Sequence, residues 1–548
     1  MNLRVSVSNR VTFDDSVHGY IDLDEVTVSI IDTPEFQRLR KIKQLGTAQY
    51  VYPCAVHTRF EHSLGVAYLA QLLVTMLRRN QPELNITDSD ILCVEIAGLC
   101  HDLGHGPFSH VFDHTLCEHF YPERLMIKLE NCELDLRKHE NRSIWILNHI
   151  VKKYYVKLSP QQVNAISYMI NPENDFPESK NDLPSGILQN SKSFMYKVVN
   201  NKEHKVDVDR IYYIARDSRN LRQTLGLDYP RLFRRTRIID DNICYSTKEA
   251  IHLHDLFGCR FRLHRNVFSN WKVKAVEMII NDIIRLSVDN YLEEKGQILY
   301  PELLESFLSP ENFCQFTDSV LDVIQDRTRQ KLKCQNIKYD ERVNLNKIMF
   351  CFQKLDRRIY AKYIDELNLN DVVNVNYKTI ELRDRLINDI EHEFDFNIKS
   401  RIEENLKGYC EEIIRVDPEK FKIKFRLISE LVRIEYSGHI GKLLFFNKHK
   451  PTYSFKINPI AFNSYASIHT CDLSRRFAIN ADICSSRFEN LVDVDKEMND
   501  FFDLVFYNLE AFYTEELGQI LTKKIEKAKS ALCIMYFNNQ HYEKKDDE

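Results

Sequence analysis

Glycine and proline are scarce in this chain, 14 and 15 among 548 residues. That scarcity argues against a many-stranded barrel with its repeated turns and for long helices. Cysteine is present, 14 in all, but no two stand in a C-x-x-C pair, so neither a zinc ribbon nor a redox dithiol is encoded. Scattered cysteines fit reduced, buried thiols of the nucleus or cytoplasm. The opening "MNLRVSVSNRVTFDD" also lacks the apolar core and small-residue cleavage site of a secretory signal. No uninterrupted run reaches the ~18–20 apolar residues of a membrane span. The best candidate, "SLGVAYLAQLLVTML" between "FEH" and "RRN", reads as a buried helix, so no membrane partner is expected. A net charge of −5 provides no global positive field, and any polyanion site must be a local patch.

The length exceeds what one hydrophobic core serves, so two or three units are expected. In the first thirty residues "LRVSVS", "RVTF" and "GYIDL" alternate apolar and polar, the pattern of short strands or a hairpin. Helical signals follow. "DTPEFQRLRKIKQLG" offers Asp32 or Thr33 as cap, Pro34 in the first turn and Gly46 past the end. "TDSDILCVEIAGLCHDLG" carries a capping box, Thr87 with Asp90, and Gly104 as a C-terminal stop. Residues 139–295 are mainly helical in spacing, with loops at "NPENDFPESKNDLPSG" and "DDNICYSTKE". Past residue 330 the character shifts to a charged amphipathic helix or helix pair at 382–414, then strands at "FKIKFRL", "GKLLFFN" and "PTYSFKI", ending in a disordered "EKKDDE". The expected fold is therefore mainly α. A helical core spans residues 1–330, and a smaller α+β lobe at 331–548 serves oligomerisation and regulation, with a soft boundary at 330–375.

The densest chemistry lies in "AGLCHDLGHGPFSH", residues 97–110. A divalent ion needs several imidazole or carboxylate donors and an open position for water. His101 and Asp102 diverge on a regular helix and could converge where it frays at Gly104, at a helix end whose partial negative charge favours a cation. A His-Asp pair alone is weak evidence, since His254-Asp255 in "IHLHDLFGC" is a second one. Two segments sharpen it. "HTRFEHSLG" places His62 at the start of an apolar helix, and "KVDVDRIYYIARD" places Asp209 in a helical pattern with Asp207 and Asp217. Carboxylates on an apolar, aromatic helix are costly to bury unless paired or metal-bound.

The order "HxRFEHSLG", "AGLCHDLGHGPFSH", "DVDRxYYxARD" resembles the HD-domain phosphohydrolases. Among them it is most similar to the eukaryotic SAM-and-HD-domain deoxynucleoside triphosphate triphosphohydrolases. The likeness is dense over residues 10–113 and 194–285, loose to about 370 and faint beyond. It implies that His62, His101, Asp102 and Asp209 hold one tightly bound divalent metal (iron, zinc or manganese), with Mg²⁺ accompanying the triphosphate. A bound divalent ion acidifies water toward a pKa of about 7, supplying a nucleophile for phosphorus. It also implies that His139 in "RKHENRS" is catalytic, beyond a segment, 114–138, that is longer than usual. Arg59 and His105 fall on catalytic positions as well. Arg59, His110, Arg210 and Arg260 fall on phosphate-contacting positions. Gln44, Leu45, Tyr213 and Asp217 fall on deoxyribose-reading ones. Phe268 in "LHRNVFSNWK" stands where the family has a sugar-stacking Tyr, and Ser269 and Asn270 are smaller than usual; the bulk is kept and a hydroxyl is lost.

Relatives in this branch assemble as tetramers activated by GTP and deoxynucleoside triphosphates between subunits. The resemblance therefore implies a homo-oligomer, dimer to tetramer. Asp32, Gln37 and Arg40 in "IDTPEFQRLR" match the guanine-reading positions, although Asp and Arg at helical spacing also fit an exposed ion pair. Arg237 and Lys248 match a second activator site, where Ser246 replaces an Arg and Arg10 stands one position early. No SAM domain is expected, since only about ten residues precede the likeness, too few to fold alone. Two other readings stay open: an HD-type nucleotidase or phosphodiesterase on another nucleotide, and a binder of single-stranded nucleic acid through "YPRLFRRTRII", which interleaves basic and aromatic residues.

Overall fold

The computed structural model describes residues 10–113, 126–129, 132–172, 192–223, 225–288, 300–303, 305–334, 337, 339–356 and 358, and the segments 362–368, 421–435, 443–447, 450–456 and 471–485. The chain divides into two units, Met1–Thr328 with Tyr436–Ile468, and Arg329–Glu435 with His469–Glu548. The 171–186 loop from residue 173 on, the 382–414 helix and the acidic tail read from the sequence lie outside the described residues.

The first unit opens with the expected hairpin, β1 (Val11–Asp15) against β2 (Gly19–Leu23), Val11 opposite Leu23. Ile21 and Leu23 point into the core. Helix α1 (Glu25–Ile31) starts on an Asp24 cap. The single helix expected from Asp32 to Gly46 is instead a short α2 (Pro34–Gln37), capped by Thr33 and continued by a 3₁₀ turn at Arg38–Lys41. Tertiary partners interrupt it. The buried Arg38 guanidinium donates to the carbonyls of Phe316, Leu103 and His105, and the Lys43 amide donates to Asp318 rather than to a helical carbonyl.

Helix α3 (Arg59–Asn80) begins in a reciprocal capping box of Thr58 and Glu61 and is buried along most of its length. It is long and apolar enough to cross a membrane, but most of that length is covered by protein, which identifies it as the central helix of the unit. Helix α4 (Asp88–Cys100), capped by Thr87 and Asp90 as the sequence indicated, packs on α3 where Gly98 meets Val66 and Ala67. A small hairpin, β3 (Met126–Leu129) with β4 (Cys132–Asp135), precedes α5 (His139–Tyr154) and α6 (Pro160–Ile170). Then comes α7 (Val208–Asn220), capped by Asp207.

Residues 236–246, read in part as loop, form a hairpin of β5 (Thr236–Ile239) and β6 (Asn242–Ser246). It turns through Asp240 and Asp241, both at positive φ, a backbone that Asp tolerates and that matches the twist of paired strands. Helix α8 (Ala250–Leu263) runs into a π-helical turn at His264–Phe268, then α9 (Trp271–Val288) and α10 (Val320–Leu332). Strands β9 (Leu444–Asn447) and β10 (Lys450–Lys456) belong to this first unit, in a sheet ordered β10-β9-β6-β5 with β6 and β9 parallel. Their place in the sequence groups them with the C-terminal lobe. Burial of Phe446 against Ile239 and Cys244 draws them in.

The second unit contains α11 (Tyr339–Asp356) and an antiparallel sheet ordered β7-β11-β8 from β7 (Lys362–Asn368), β8 (Phe421–Glu435) and β11 (Cys471–Ser485). Cys471 stands opposite Glu435 and Ser485 opposite Phe421. The three C-terminal strands anticipated from sequence thus fall in β8, β9 and β10, and the protein is mainly α.

Candidate active site

His62 sits in the first turn of α3, fixed by the capping box just before it, and is fully buried. Helix α4 ends at Cys100, leaving His101 as its C-cap and Asp102 in the following turn, so adjacent side chains are free to converge. Gly104 acts differently from the stop expected of it. It does not adopt positive φ; its missing Cβ admits the first turn of α5. A Cβ there would lie 2.2 Å from the His139 carbonyl oxygen and 2.4 Å from the Ser143 nitrogen. The Ser143 hydroxyl locks the junction, donating to the His101 carbonyl at 2.7 Å and accepting from the Gly104 amide at 2.8 Å. Asp209 enters from the first turn of α7.

These four side chains meet. His62 Nε2 lies 3.3 Å from His101 Nε2, 3.2 Å from Asp102 Oδ2 and 3.1 Å from Asp209 Oδ1. His101 Nε2 lies 3.4 Å from both Asp102 Oδ1 and Asp209 Oδ1. Donors about 2.0–2.1 Å from an ion in tetrahedral array stand roughly 3.3 Å apart, so the donor set fits a divalent metal. His101 Nδ1 donates to the Gly98 carbonyl at 2.8 Å, which turns Nε2 inward as the ligating nitrogen. Electrostatics agree. Burial works to strip the proton from His101, but Asp102 and Asp209 outweigh it and push the pKa up to about 9. A site that favours positive charge so strongly suits a cation in the proton's place. His62, His101 and Asp102 form one of two metal-capable groups among the described residues, and the His254-Asp255 pair joins neither.

The second group is centred on Asp113, which sequence reading missed. Its Oδ2 faces three imidazoles: His105 Nδ1 at 3.4 Å, His139 Nδ1 at 3.5 Å and His110 Nδ1 at 3.6 Å. Its other oxygen accepts from Arg142. His105 and His139 stack with centroids 4.0 Å apart. The two titrate oppositely. Burial, then the neighbouring Arg59 and His139, lower His105 to about 3. For His139 burial is outweighed by Asp113 and Glu140, which raise it. With a guanidinium already paired to Asp113, the group is suited to handling protons and phosphate.

The two groups meet where His105 Nε2 lies 3.3 Å from Asp102 Oδ1, and beside them Arg59 is buried. It donates to Asp102, to Ser109 Oγ at 3.0 Å and to the Gln44 carbonyl at 3.3 Å. The loop bearing His105 and His110 carries Phe108 and Ser109 at positive φ, costly for non-glycine residues. It is held by Asp318, which accepts from the Phe108 amide at 2.7 Å, and by Ser109 Oγ donating to the Lys43 carbonyl at 2.8 Å.

One cavity of about 440 Å³ is lined by Gln44, Leu45, Arg59, His101, Asp102, His105, His110, His139, Asp209, Arg210, Tyr213, Asp217, Arg260 and Phe268. Every catalytic or substrate position anticipated from sequence therefore reaches one space, and of the four donors His62 alone is buried outside the lining. Arg260 Nε donates to the Tyr213 hydroxyl at 3.1 Å, and the π turn brings His264 edge-on to Phe268. Gln44 Oε1 has no hydrogen-bond partner among the described residues. Asp217 Oδ1 bonds His57 Nε2 at 2.7 Å. His57, like Lys274 and Glu277 of the lining, is not among the residues the sequence singles out. Only the proximity of His57 to His62 in "HTRFEH" could have signalled it.

Asp32, Gln37, Arg40, Arg237 and Lys248 lie outside this cavity. Asp32 caps α1, Gln37 Nε2 donates to the Ile31 carbonyl at 2.8 Å, and Arg40 Nε donates to Gln37 Oε1 at 2.8 Å over the Phe60 ring. Lys248 is exposed and Arg237 half-buried. In the basic 229–239 stretch, Arg231 and Arg235 pair with the buried Glu249, which leaves less free charge for a nucleic acid strand.

Residues 59–183 match the family model described as the HD domain. The chain is 33% identical over 484 residues to the deoxynucleoside triphosphate triphosphohydrolase SAMHD1 of Mus musculus, spanning 79% of this chain and 69% of that protein. It is 35% identical over 420 residues to the Bos taurus protein of that name, 72% and 69% covered, and 37% over 349 residues to the Homo sapiens one, 60% and 53% covered. With an HD-type donor set assembled and two thirds or more of two such relatives spanned, the chain belongs to the SAMHD1 family of HD-domain proteins.

Proposed function

We propose that this protein hydrolyses deoxynucleoside triphosphates to deoxynucleoside and inorganic triphosphate, the activity for which the mouse, bovine and human relatives are named. The observation that carries it is one cavity shared by a metal-capable donor set, an imidazole–carboxylate array, the guanidinium groups of Arg59, Arg210 and Arg260, and a small polar end at Gln44, Tyr213 and Asp217. Its volume suits a nucleotide-sized ligand.

His62, His101, Asp102 and Asp209 hold one divalent metal: iron, zinc or manganese. When bound, it supplies Lewis acidity and a water acidified toward a pKa of about 7. The arginines and the accompanying Mg²⁺ neutralise the triphosphate, while His110 offers it a hydrogen bond. Water adds to phosphorus, the bond from phosphorus to the sugar 5′-oxygen breaks, and that oxygen takes a proton from His139. His139 suits this role because Asp113 and Glu140 stabilise its protonated form, and such general acids contribute roughly 10²–10⁴-fold. Neutral His105 hydrogen-bonds phosphate beside it. Asp217 accepts from the 3′-hydroxyl, Gln44 Oε1 offers a second acceptor, and Leu45, Tyr213 and Phe268 pack the ring so that a 2′-hydroxyl has no room.

Asp32, Gln37 and Arg40 read an activating guanine nucleotide, and Arg237 and Lys248 contact a second, deoxynucleotide activator, in a dimer-to-tetramer to which residues 331–548 contribute. The protein acts in the nucleus or cytoplasm. The test incubates purified protein with the four deoxynucleoside triphosphates, Mg²⁺ and GTP, beside a His101→Ala/Asp102→Ala variant, and separates the products. Deoxynucleoside and intact triphosphate, absent with the variant, are expected. Monophosphate with pyrophosphate, or no turnover, overturns the substrate assignment, the first outcome pointing to another HD-type phosphohydrolase.

A further inference from the structure

Arg142 is among the largest fully buried side chains of the described residues. It stands in the first turn of α5, three positions after His139. A guanidinium this deep must place its N–H groups on acceptors, and every part of it is engaged. Nε donates to the Gly104 carbonyl at 2.7 Å. Nη1 donates to the Leu136 and Arg137 carbonyls at 2.7 and 3.0 Å. Nη2 donates to Asp113 Oδ1. The plane is packed near the rings of Phe112 and Phe313, 5.4 and 5.5 Å from their centroids.

Those acceptors are not a random set. Gly104 belongs to the loop carrying His101, Asp102 and His105; Leu136 and Arg137 close the approach to His139; Asp113 carries the oxygen faced by three imidazoles. One planar group thus joins three stretches of chain. A point charge on a flexible stem could pair with Asp113 but could not also hold three carbonyls in one plane.

We propose that Arg142 is a positioning residue: held against the metal loop by the carbonyls it meets, it sets the place and orientation of the His105–His110–His139 array through Asp113 Oδ1. Nothing in the reaction touches Arg142 itself. Its effect on phosphate passes through Asp113. The inference rests on the phosphohydrolase reading of the cavity, although the receipt of phosphate by the array can be measured without turnover.

The experiment compares wild type, Arg142→Lys, Asp113→Asn and the double variant, each loaded with metal and checked for metal stoichiometry and melting temperature. Three quantities are read: kcat, KM and the calorimetric affinity for inorganic triphosphate. Arg142→Lys is expected to keep its metal, to lose about 10–100-fold in kcat as a displaced catalytic group does, and to bind triphosphate about tenfold more weakly. In the Asp113→Asn background the same substitution should cost less than threefold in kcat, because groups acting as one unit are not additive. Wild-type kcat and triphosphate affinity in Arg142→Lys overturn the proposal, as do losses that multiply independently in the double variant or a loss of metal that accounts for the whole effect. If Arg142→Lys does not fold, Arg142→Gln with Asp113→Asn replaces it, removing both charges but leaving hydrogen-bonding groups at both ends; wild-type triphosphate affinity there is the overturning result. If the wild type hydrolyses no deoxynucleotide, the substrate assignment alone has failed, and triphosphate affinity still decides the role of Arg142.

Discussion

Gly104→Ala gives a sharp test of how the metal loop and α5 are joined. The backbone at Gly104 is in a region open to any residue, so alanine adds no conformational strain there, only a methyl group. That methyl would lie 2.2 Å from the His139 carbonyl oxygen, 2.4 Å from the Ser143 nitrogen and 2.6 Å from Arg142 Cβ. Two of these are backbone atoms in the first turn of a helix and cannot rotate aside. Carbon contacts settle near 3.5 Å, so the helix must retreat by about 1 Å. Overpacking of this kind costs about 1–3 kcal/mol. In a domain of 150–250 residues each kcal/mol lowers Tm by roughly 2–4 °C, and by less in a larger unit. Activity should suffer more, because His139 is carried away from His101 and Asp102, and a 1 Å misplacement costs on the order of 10²-fold. The assay pairs differential scanning fluorimetry with kcat for deoxynucleoside release. Gly226→Ala is the control, since a Cβ there meets nothing closer than Asp255 Oδ2 at 3.6 Å. If Gly104→Ala retains kcat within twofold of wild type and melts at the same temperature, the close docking of α5 on the metal loop does not govern the site.

Four further outcomes are expected. His62→Ala should lose bound transition metal by elemental analysis and lose turnover with it, and added metal should not restore wild-type rates. His139→Asn should lower kcat by roughly 10²–10⁴-fold at unchanged metal content, the range for a lost general acid; a loss below tenfold would assign the proton elsewhere. His57→Ala removes the 2.7 Å partner of Asp217 and should raise KM more than it lowers kcat, read from initial rates across substrate concentration. The fourth concerns pH. Burial holds the Asp318 carboxyl up at about 6, against the opposing pull of the Phe108 and Lys43 amides. A folded state that keeps a proton the unfolded chain has lost is stabilised most at low pH. This contribution is full below the ordinary carboxylate value of 3.8 and is lost as pH rises through about 6. The Tm advantage of wild type over Asp318→Asn should therefore be larger at pH 4.5 than at pH 7, and an advantage independent of pH would show that Asp318 is charged throughout.

Local sequence determined what local physics can specify. The Thr58/Glu61 and Thr87/Asp90 boxes start their helices because cap and N3 residue meet within one turn. His62, His101, Asp102 and Asp209 were legible because each lies at a helix end inside a long motif, where a backbone change aims a side chain inward. Gly104 was visible as a glycine, yet its reason was not: it makes room for a helix that begins 35 positions later. Asp113 and Arg142 carried no signal of their own, since a carboxylate facing three imidazoles and a guanidinium engaging Gly104, Leu136, Arg137 and Asp113 exist only once the 104–113 loop packs on the start of α5. The same holds for His57 and Asp217, separated by 160 residues, and for β9, which pairs with β6 across some two hundred positions. The helix foreseen over residues 32–46 stopped at Gln37 because Arg38 and Lys43 found partners in Leu103, His105, Phe316 and Asp318. Helical spacing describes which neighbours a residue has along the chain; only the folded unit decides whether a distant acceptor offers its polar groups a better bond than the next turn does.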